Sequence, residues 1–194
     1  AQQRQAWLDE LPELPGAKRH RYADALGLSQ YDARVLTDER PMAEYFEAVV
    51  AAGADAKLSS NWITGDIAAY VNSNRLTYGE LPFRPEQLAE MVQLIDGGKI
   101  SGKIAKEILP ELLEKGGSPK AIVDERGLGM ISDPAAITAI VEELLAAHPA
   151  EVEAFRGGKN KLQGFFVGQL MKKTGGKADP KLANQILSKK LRGK

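Results

Sequence analysis

The sequence predicts an all-α protein built as two helical domains, a multi-helix bundle followed by a small helical tail domain. Apolar residues recur at helical spacing in one segment after another, while β-branched alternation is missing over any useful length. Ala, Leu, Glu, Lys and Gln fill most segments, and aromatics are only 6% of the 194 residues. Proline and glycine punctuate these segments in a fixed sense. Six of the ten prolines stand where a helix would begin: Pro41, Pro85, Pro119, Pro134, Pro149 and Pro180. Proline at the first helical position loses no hydrogen bond, and a preceding Ser or Asp caps the free amides.

In chain order, Trp7 lies in Trp7-Leu8-Asp9-Glu10-Leu11-Pro12, and it and the equally isolated Trp62 are expected to be core or interface anchors. Pro41 opens a helix with Phe46, Val49 and Val50 on one face, stopped at Gly53. Ile63, Ile67, Tyr70 and Val71 form the next stripe. Pro85 opens Leu88, Met91, Val92 and Ile95, ended by Gly97-Gly98; Ser101 caps a helix carrying Ile104, Ile108 and Leu112, ended by Gly116-Gly117. Together these predict a compact bundle over roughly residues 14–126. The boundary is placed at Gly127-Leu128-Gly129, giving a helical domain 1–128 and a tail domain 129–194, with a hinge at the glycines. In the tail, Ile137, Ile140, Val141, Leu144 and Leu145 form one stripe, and Val152 and Phe155 a short one. Leu162, Phe165, Phe166 and Leu170 form a third, and Leu182, Ile186, Leu187 and Leu191 a fourth, enough to close a small core.

Charge separates the same two parts. Residues 1–130 hold 15 Lys/Arg and 20 Asp/Glu, net −5, whereas residues 131–194 hold 11 and 6, net +5. From Arg156 to Lys194 there are 11 Lys/Arg against one acid, Asp179, in segments patterned as packed helices. A rigid cationic surface points to a polyanion, above all nucleic acid; a lysine-rich solvated surface is the alternative. No apolar run is long enough to span a bilayer, and no signal-peptide pattern is present, so no membrane partner is expected. Zero cysteine removes disulfides and thiolate chemistry and suits a reducing compartment, the cytoplasm of a bacterium or the interior of an organelle. The start at Ala1-Gln2-Gln3, without Met, reads as a piece of a longer chain.

The segment Gly97-Gly98-Lys99-Ile100-Ser101-Gly102-Lys103-Ile104 fits a phosphate-binding loop by spacing, but Ile104 replaces the hydroxyl that holds magnesium, and a helix precedes it where a strand belongs. His20 and His148 lack metal-ligand partners, so no metal site is expected. Glu86/Glu90, Glu107/Glu111 and Glu142/Glu143 read as solvated helix faces. No nucleophile, base and orienting group assemble, so no catalytic residue is assigned. The more informative stretch is 157–173. Lys161 and Lys172 fall within about 20° of each other on a helical wheel, with Gly164 and Gly168 beside them. Glycines inside a helix imply a close approach, here by a neighbouring helix, with phosphate as the reading for the lysines. Lys181, Gln185, Ser188 and Arg192 share the polar face of the last helix. The expected nucleic-acid contacts are Lys159, Lys161, Lys172, Lys177 and Lys181, reading shape and phosphate and not base edges.

Several stretches resemble a known family. Ile131-Ser132-Asp133, Ala147-His148-Pro149, Gly158-Lys159, Gly164 to Lys172, and Gly176 to Asn184 resemble the YqeY-like tail of the B subunits of aspartyl/glutamyl-tRNA amidotransferases. Leu11 to Pro15, Arg19 to Tyr22, Tyr31-Asp32-Ala33, Leu36-Thr37, Asn61-Trp62 and Gly98 to Lys106 resemble the helical domain of the same family. Departures are Asp179 where Asn is common, Pro134, and a second lysine at Lys173. The resemblance implies a polypeptide that, when complete, activates Glu or Asp mischarged on tRNA with ATP and magnesium and amidates it with ammonia from the A subunit, with a C subunit around the pair. It places the catalytic and metal residues in a cradle domain with no match here, so no cofactor is expected for this chain. What remains is a non-catalytic tail that contacts the outer corner of the tRNA L. The alternative is a module docking a partner subunit or an aminoacyl-tRNA synthetase, and a free-standing role for the tail is a third reading.

Overall fold

The computed structural model describes residues 13–193, and Trp7 with the rest of 1–12 lies outside the described residues. The chain divides into two compact units, one of residues 1–93 with 111–118, the other of 94–110 with 119–194.

The first unit opens with α1 (Pro15–Asp24), α2 (Gln30–Leu36) and α3 (Arg40–Ala51). α4 (Ala56–Trp62) runs through a π-helical turn (Ile63–Ile67) into α5 (Ala68–Asn74), and a 3₁₀ turn (Tyr78–Glu80) leads to α6 (Pro85–Asp96). Local chemistry sets the starts. Ser29 Oγ accepts from the Asp32 amide at 3.0 Å, Asp55 Oδ1 accepts from Leu58 N at 2.7 Å, and Thr77 and Glu80 form a reciprocal capping box. The expected apolar faces are the buried ones: Phe46, Val49, Ile63, Ile67, Leu88 and Met91 are all at 0% exposure, and Trp62 is a core residue. Tyr22 meets Phe46 edge to face at 5.0 Å between ring centroids. The π turn is not predicted by the sequence. Ser59, Ile63, Ile67 and Val71 are buried at four-residue spacing, which in a pure α-helix drifts about 40° per step. The wider π turn takes that drift back and keeps the stripe facing the core.

In the second unit, α7 (Gly102–Lys115, of which 102–110 belong here) carries Pro110 inside it, and α8 (Pro119–Glu125) follows. The tail then forms α9 (Pro134–Ala147), α10 (Pro149–Arg156), α11 (Leu162–Lys173) and α12 (Pro180–Leu191). All six prolines expected to open helices do so. Asp133 and Asp179 cap α9 and α12 through their carboxylates. α9 packs on α12, and α11 on both, around Ile137, Val141, Phe166, Leu170, Leu187 and Leu191 at 0% exposure. Each such side chain contributes about 1.5–3 kcal/mol. A parallel bridge, Ile131 with Ala178, joins the start of the tail to the loop before α12.

The glycine segment expected as a hinge is hydrogen-bonded within the second unit. Met130 N donates to Lys99 O at 2.7 Å, Ile131 N to Lys177 O at 2.7 Å, and Lys177 Nζ to Gly127 O at 2.8 Å. Three hydrogen bonds within five residues make this segment a strap inside the second unit.

Candidate nucleic-acid interface

α11 is the axis of the basic surface. Phe166 and Leu170 point into the core, while Gly164, Gly168 and Lys172 are exposed together with Lys161 at its N-terminal end. Over 12 residues, α11 is about 18 Å long. The five expected lysines therefore gather at its two ends. Lys159 and Lys161 lie in the turn before it; Lys172 is in its last turn, followed by Lys177 in the loop and Lys181 in the first turn of α12.

Four of these, Lys159, Lys161, Lys172 and Lys181, are exposed and make no side-chain hydrogen bond or ion pair among the described residues. Lys177 differs: it is half-buried and donates to the Gly127 carbonyl, so part of its hydrogen-bonding capacity holds the strap. The remaining basic groups of the surface divide in the same way. Lys173 pairs with Glu143, and Lys190 pairs with Glu142 at 2.5 Å. Lys173 beside Glu143 holds that carboxyl below the usual range. Glu142 and Glu143 are therefore surface counter-charges for two lysines and not a carboxylate pair.

Asp179, the one acid of the 156–194 region, has a structural task. Its Oδ1 accepts from Lys181 N at 2.8 Å and Leu182 N at 3.0 Å, so its charge faces the positive end of α12. The close approach expected at Gly164 and Gly168 is not made. A Cβ added at either would meet nothing within 4 Å, so no neighbouring helix explains them; both face open space. Ser101 is the expected cap, with its hydroxyl accepting from Ile104 N at 3.3 Å, and the Gly97 to Ile104 segment joins α6 to α7. His148 sits at the α9–α10 junction, edge on to Phe165 at 5.3 Å between centroids.

Three basic or polar groups escaped sequence reading. Lys103 lies against Gly176, where an added Cβ would come 2.8 Å from its Cδ; this brings a lysine of α7 beside the Lys177 loop. Arg156 donates through Nε to Leu191 O at 3.1 Å, and with Asn160 and Arg192 it lines a surface cleft. Separations of 35 to 73 residues carry no local signal.

The family model described as the GatB domain matches residues 44–191. The chain belongs to the GatB domain family. A relative from Parasynechococcus marenigrum (strain WH8102), named as the B subunit of aspartyl/glutamyl-tRNA(Asn/Gln) amidotransferase, is 91% identical over 191 residues, covering 98% of this chain and 39% of that protein. Relatives of the same name from Synechococcus sp. (strain WH7803) and Synechococcus elongatus (strain ATCC 33912 / PCC 7942 / FACHB-805) are 89% and 71% identical, covering 100% and 98% of this chain. The chain spans about 39% of the length of these relatives and matches their C-terminal part. In this GatB domain chain, no helix among the described residues is long and apolar enough to cross a membrane. Chemically, its tail offers fixed positive charge and hydrogen-bond donors on a rigid helical frame. Contacts of that kind fix register on a phosphate backbone and carry no sequence information.

Proposed function

We propose that this chain is a non-catalytic, tRNA-binding and positioning region of the B subunit of a cytoplasmic tRNA-dependent amidotransferase, working with the A and C subunits that convert Glu-tRNA(Gln) or Asp-tRNA(Asn) to the amidated form. The observation that carries the reading is the set of exposed lysines, Lys159, Lys161, Lys172 and Lys181, left without a counter-charge among the described residues while Lys173 and Lys190 have one. Lys161 and Lys181 also sit at helix N-termini, where a cation opposes the helix dipole by about 0.3–1 kcal/mol. Folding gains nothing from that placement, and an anionic partner does. The relatives' name, which refers to tRNA and to amidotransferase, supports the same reading. ATP and magnesium act elsewhere in the enzyme on this reading, so saturable, magnesium-dependent ATP binding by the chain would count against it.

The test is a titration of the 194-residue chain with unmodified tRNA at two salt concentrations, beside variants with these lysines changed singly to Ala. The expected result is salt-sensitive binding whose log–log slope falls by about 0.7–0.9 for each lysine that contacts phosphate. Absence of binding at low salt would sink the proposal and leave protein docking as the use of the surface.

A further inference from the structure

α10 ends at Arg156 and α12 ends at Leu191, and the chain after α10 turns away through Gly158 at φ +102°. Arg156 reaches across to the end of α12, its Nε–H donating to Leu191 O at 3.1 Å. That bond fixes the guanidinium plane and leaves its two terminal nitrogens without a partner among the described residues. Arg192 follows Leu191 and lies on the rim of the same cleft, a space of about 460 Å³ that Gly158 and Asn160 also line. No carboxylate is among the lining residues.

Capping the end of α12 accounts for Arg156 alone. It does not account for a second arginine on the same cleft, unpaired among the described residues, nor for Asn160 opposite. Each helix C-terminus brings a partial charge of about −0.5, which two full guanidinium charges outweigh. Planar guanidinium groups bind phosphate oxygens in pairs of hydrogen bonds, so two of them around a small concave space select a phosphate over a diffuse counterion cloud.

The cleft does not end at Arg192. The same residue closes a second depression lined by Asn184, Gln185, Ser188 and Lys189 along the exposed face of α12. Asn184 Nδ2 donates to Pro180 O at 2.9 Å, which turns the side-chain carbonyl oxygen outward as an acceptor. Asn184 and Ser188 stand four residues apart, about 6 Å along the axis, with the Gln185 amide between them, a spacing that matches the stride of a nucleotide chain. Uncharged groups that donate and accept are suited to ribose 2′-hydroxyls, which do both.

We infer that the Arg156–Arg192 cleft seats one phosphodiester of an RNA strand, with the adjoining riboses laid along Ser188, Gln185 and Asn184; this rests on the tRNA reading above. The seat is a fixed anchor at one end of a surface whose lysines are otherwise long and mobile. It also makes the surface prefer RNA to DNA of the same shape and charge.

The experiment compares the 194-residue chain with Arg192→Gln and with Gln185→Ala/Ser188→Ala, titrating each with unmodified tRNA and with an all-deoxy version of the same sequence. Arg192→Gln is expected to weaken tRNA binding at least fivefold and to lower the salt slope by about one, with an unchanged thermal melt. Gln185→Ala/Ser188→Ala is expected to narrow the preference for tRNA over its deoxy version while leaving the slope alone. Inorganic phosphate at matched ionic strength is expected to displace tRNA no better than chloride does. A parent that binds tRNA with salt sensitivity, beside an Arg192→Gln variant equal to it in affinity and slope, would overturn the seat and leave the tRNA reading standing. Specific displacement by inorganic phosphate would assign the cleft to the free ion and also overturn it. A parent that binds no tRNA at any salt removes both.

Discussion

The Ser101 hydroxyl that caps α7 also donates to the Gly176 carbonyl at 3.2 Å, tying residues 75 positions apart. The group accepts one hydrogen bond and gives one. Beside it, the Lys103 stem lies where a Gly176 side chain would be. Ser101→Ala removes the cap and the tie together, with an expected loss of about 1–2 kcal/mol, read as a lower denaturant midpoint. Exposed Ser132→Ala is the control with no expected change.

Glycines in this chain are of opposite kinds, and alanine separates them. At Gly116, φ is +70° and a Cβ would fall 2.6 Å from the Pro82 carbonyl oxygen, so Gly116→Ala is strained in both backbone and contact. A loss of about 2 kcal/mol or more is expected. Gly164→Ala and Gly168→Ala meet nothing and sit inside a helix, so each is expected to stabilise by about 0.5–1 kcal/mol. Chemical denaturation of the three variants checks all three signs.

Ser60 Oγ is fully buried and has no hydrogen-bond partner among the described residues, a cost of about 1–3 kcal/mol for an unsatisfied group. Ser60→Ala is expected to raise the melting temperature, whereas Ser59→Ala, which deletes the 2.6 Å bond to Asp55 O, is expected to lower it or leave it unmoved. A lower melting temperature for Ser60→Ala would mean that the hydroxyl has a partner.

Acid should loosen the first unit through named carboxylates. Arg21 holds the Glu13 carboxyl below its usual range, and Lys57 with Ser29 does the same for Asp32. Burial pushes Glu47 upward, but Lys18 and Arg21 outweigh it and the net shift is down. Groups with depressed folded values stabilise above their unfolded pKa, about 4, and lose that contribution as pH falls through the folded value. Melting at pH 7 and pH 3 should therefore differ less in Glu47→Gln than in the parent.

On the tRNA reading, the surface acids act as internal competitors for two lysines. Glu143→Gln frees Lys173 and Glu142→Gln frees Lys190. Each change is expected to tighten tRNA binding a few-fold and to steepen its salt dependence, whereas Lys177→Ala is expected to cost stability more than affinity, because its ammonium holds Gly127. Filter binding and thermal melts on the same samples separate the two effects.

What was legible in the sequence was local. Pro134 and Pro180, each behind an aspartate, announce helix starts because fixed φ and a side-chain cap act within three residues. The phase of α11 was legible because Phe166 and Leu170 recur at helical spacing. Lys103 beside Gly176 and Arg156 at Leu191 were not, since each is made by the packing of distant helices. Gly164 and Gly168 misled because glycine in a helix signals close approach only where something approaches. The π turn was hidden because its four-residue spacing is shared with ordinary helix.

That turn leaves the α4–α5 rod one residue richer than an α-helical ladder requires. Gly65, in its middle, has no side chain and no neighbour to lose, so its deletion would cost little where it happens. Downstream little would change: with Gly65 gone and the ladder closed, Ser59, Ile63, Ile67 and Val71 fall within about 60° of one another on a pure α-helix, so Val71 stays on the core face. The turn stores one residue of slack, and a single-codon loss there is expected to leave the buried stripe in place, whereas straightening the turn with the residue kept would swing Val71 about 120° from Ser59.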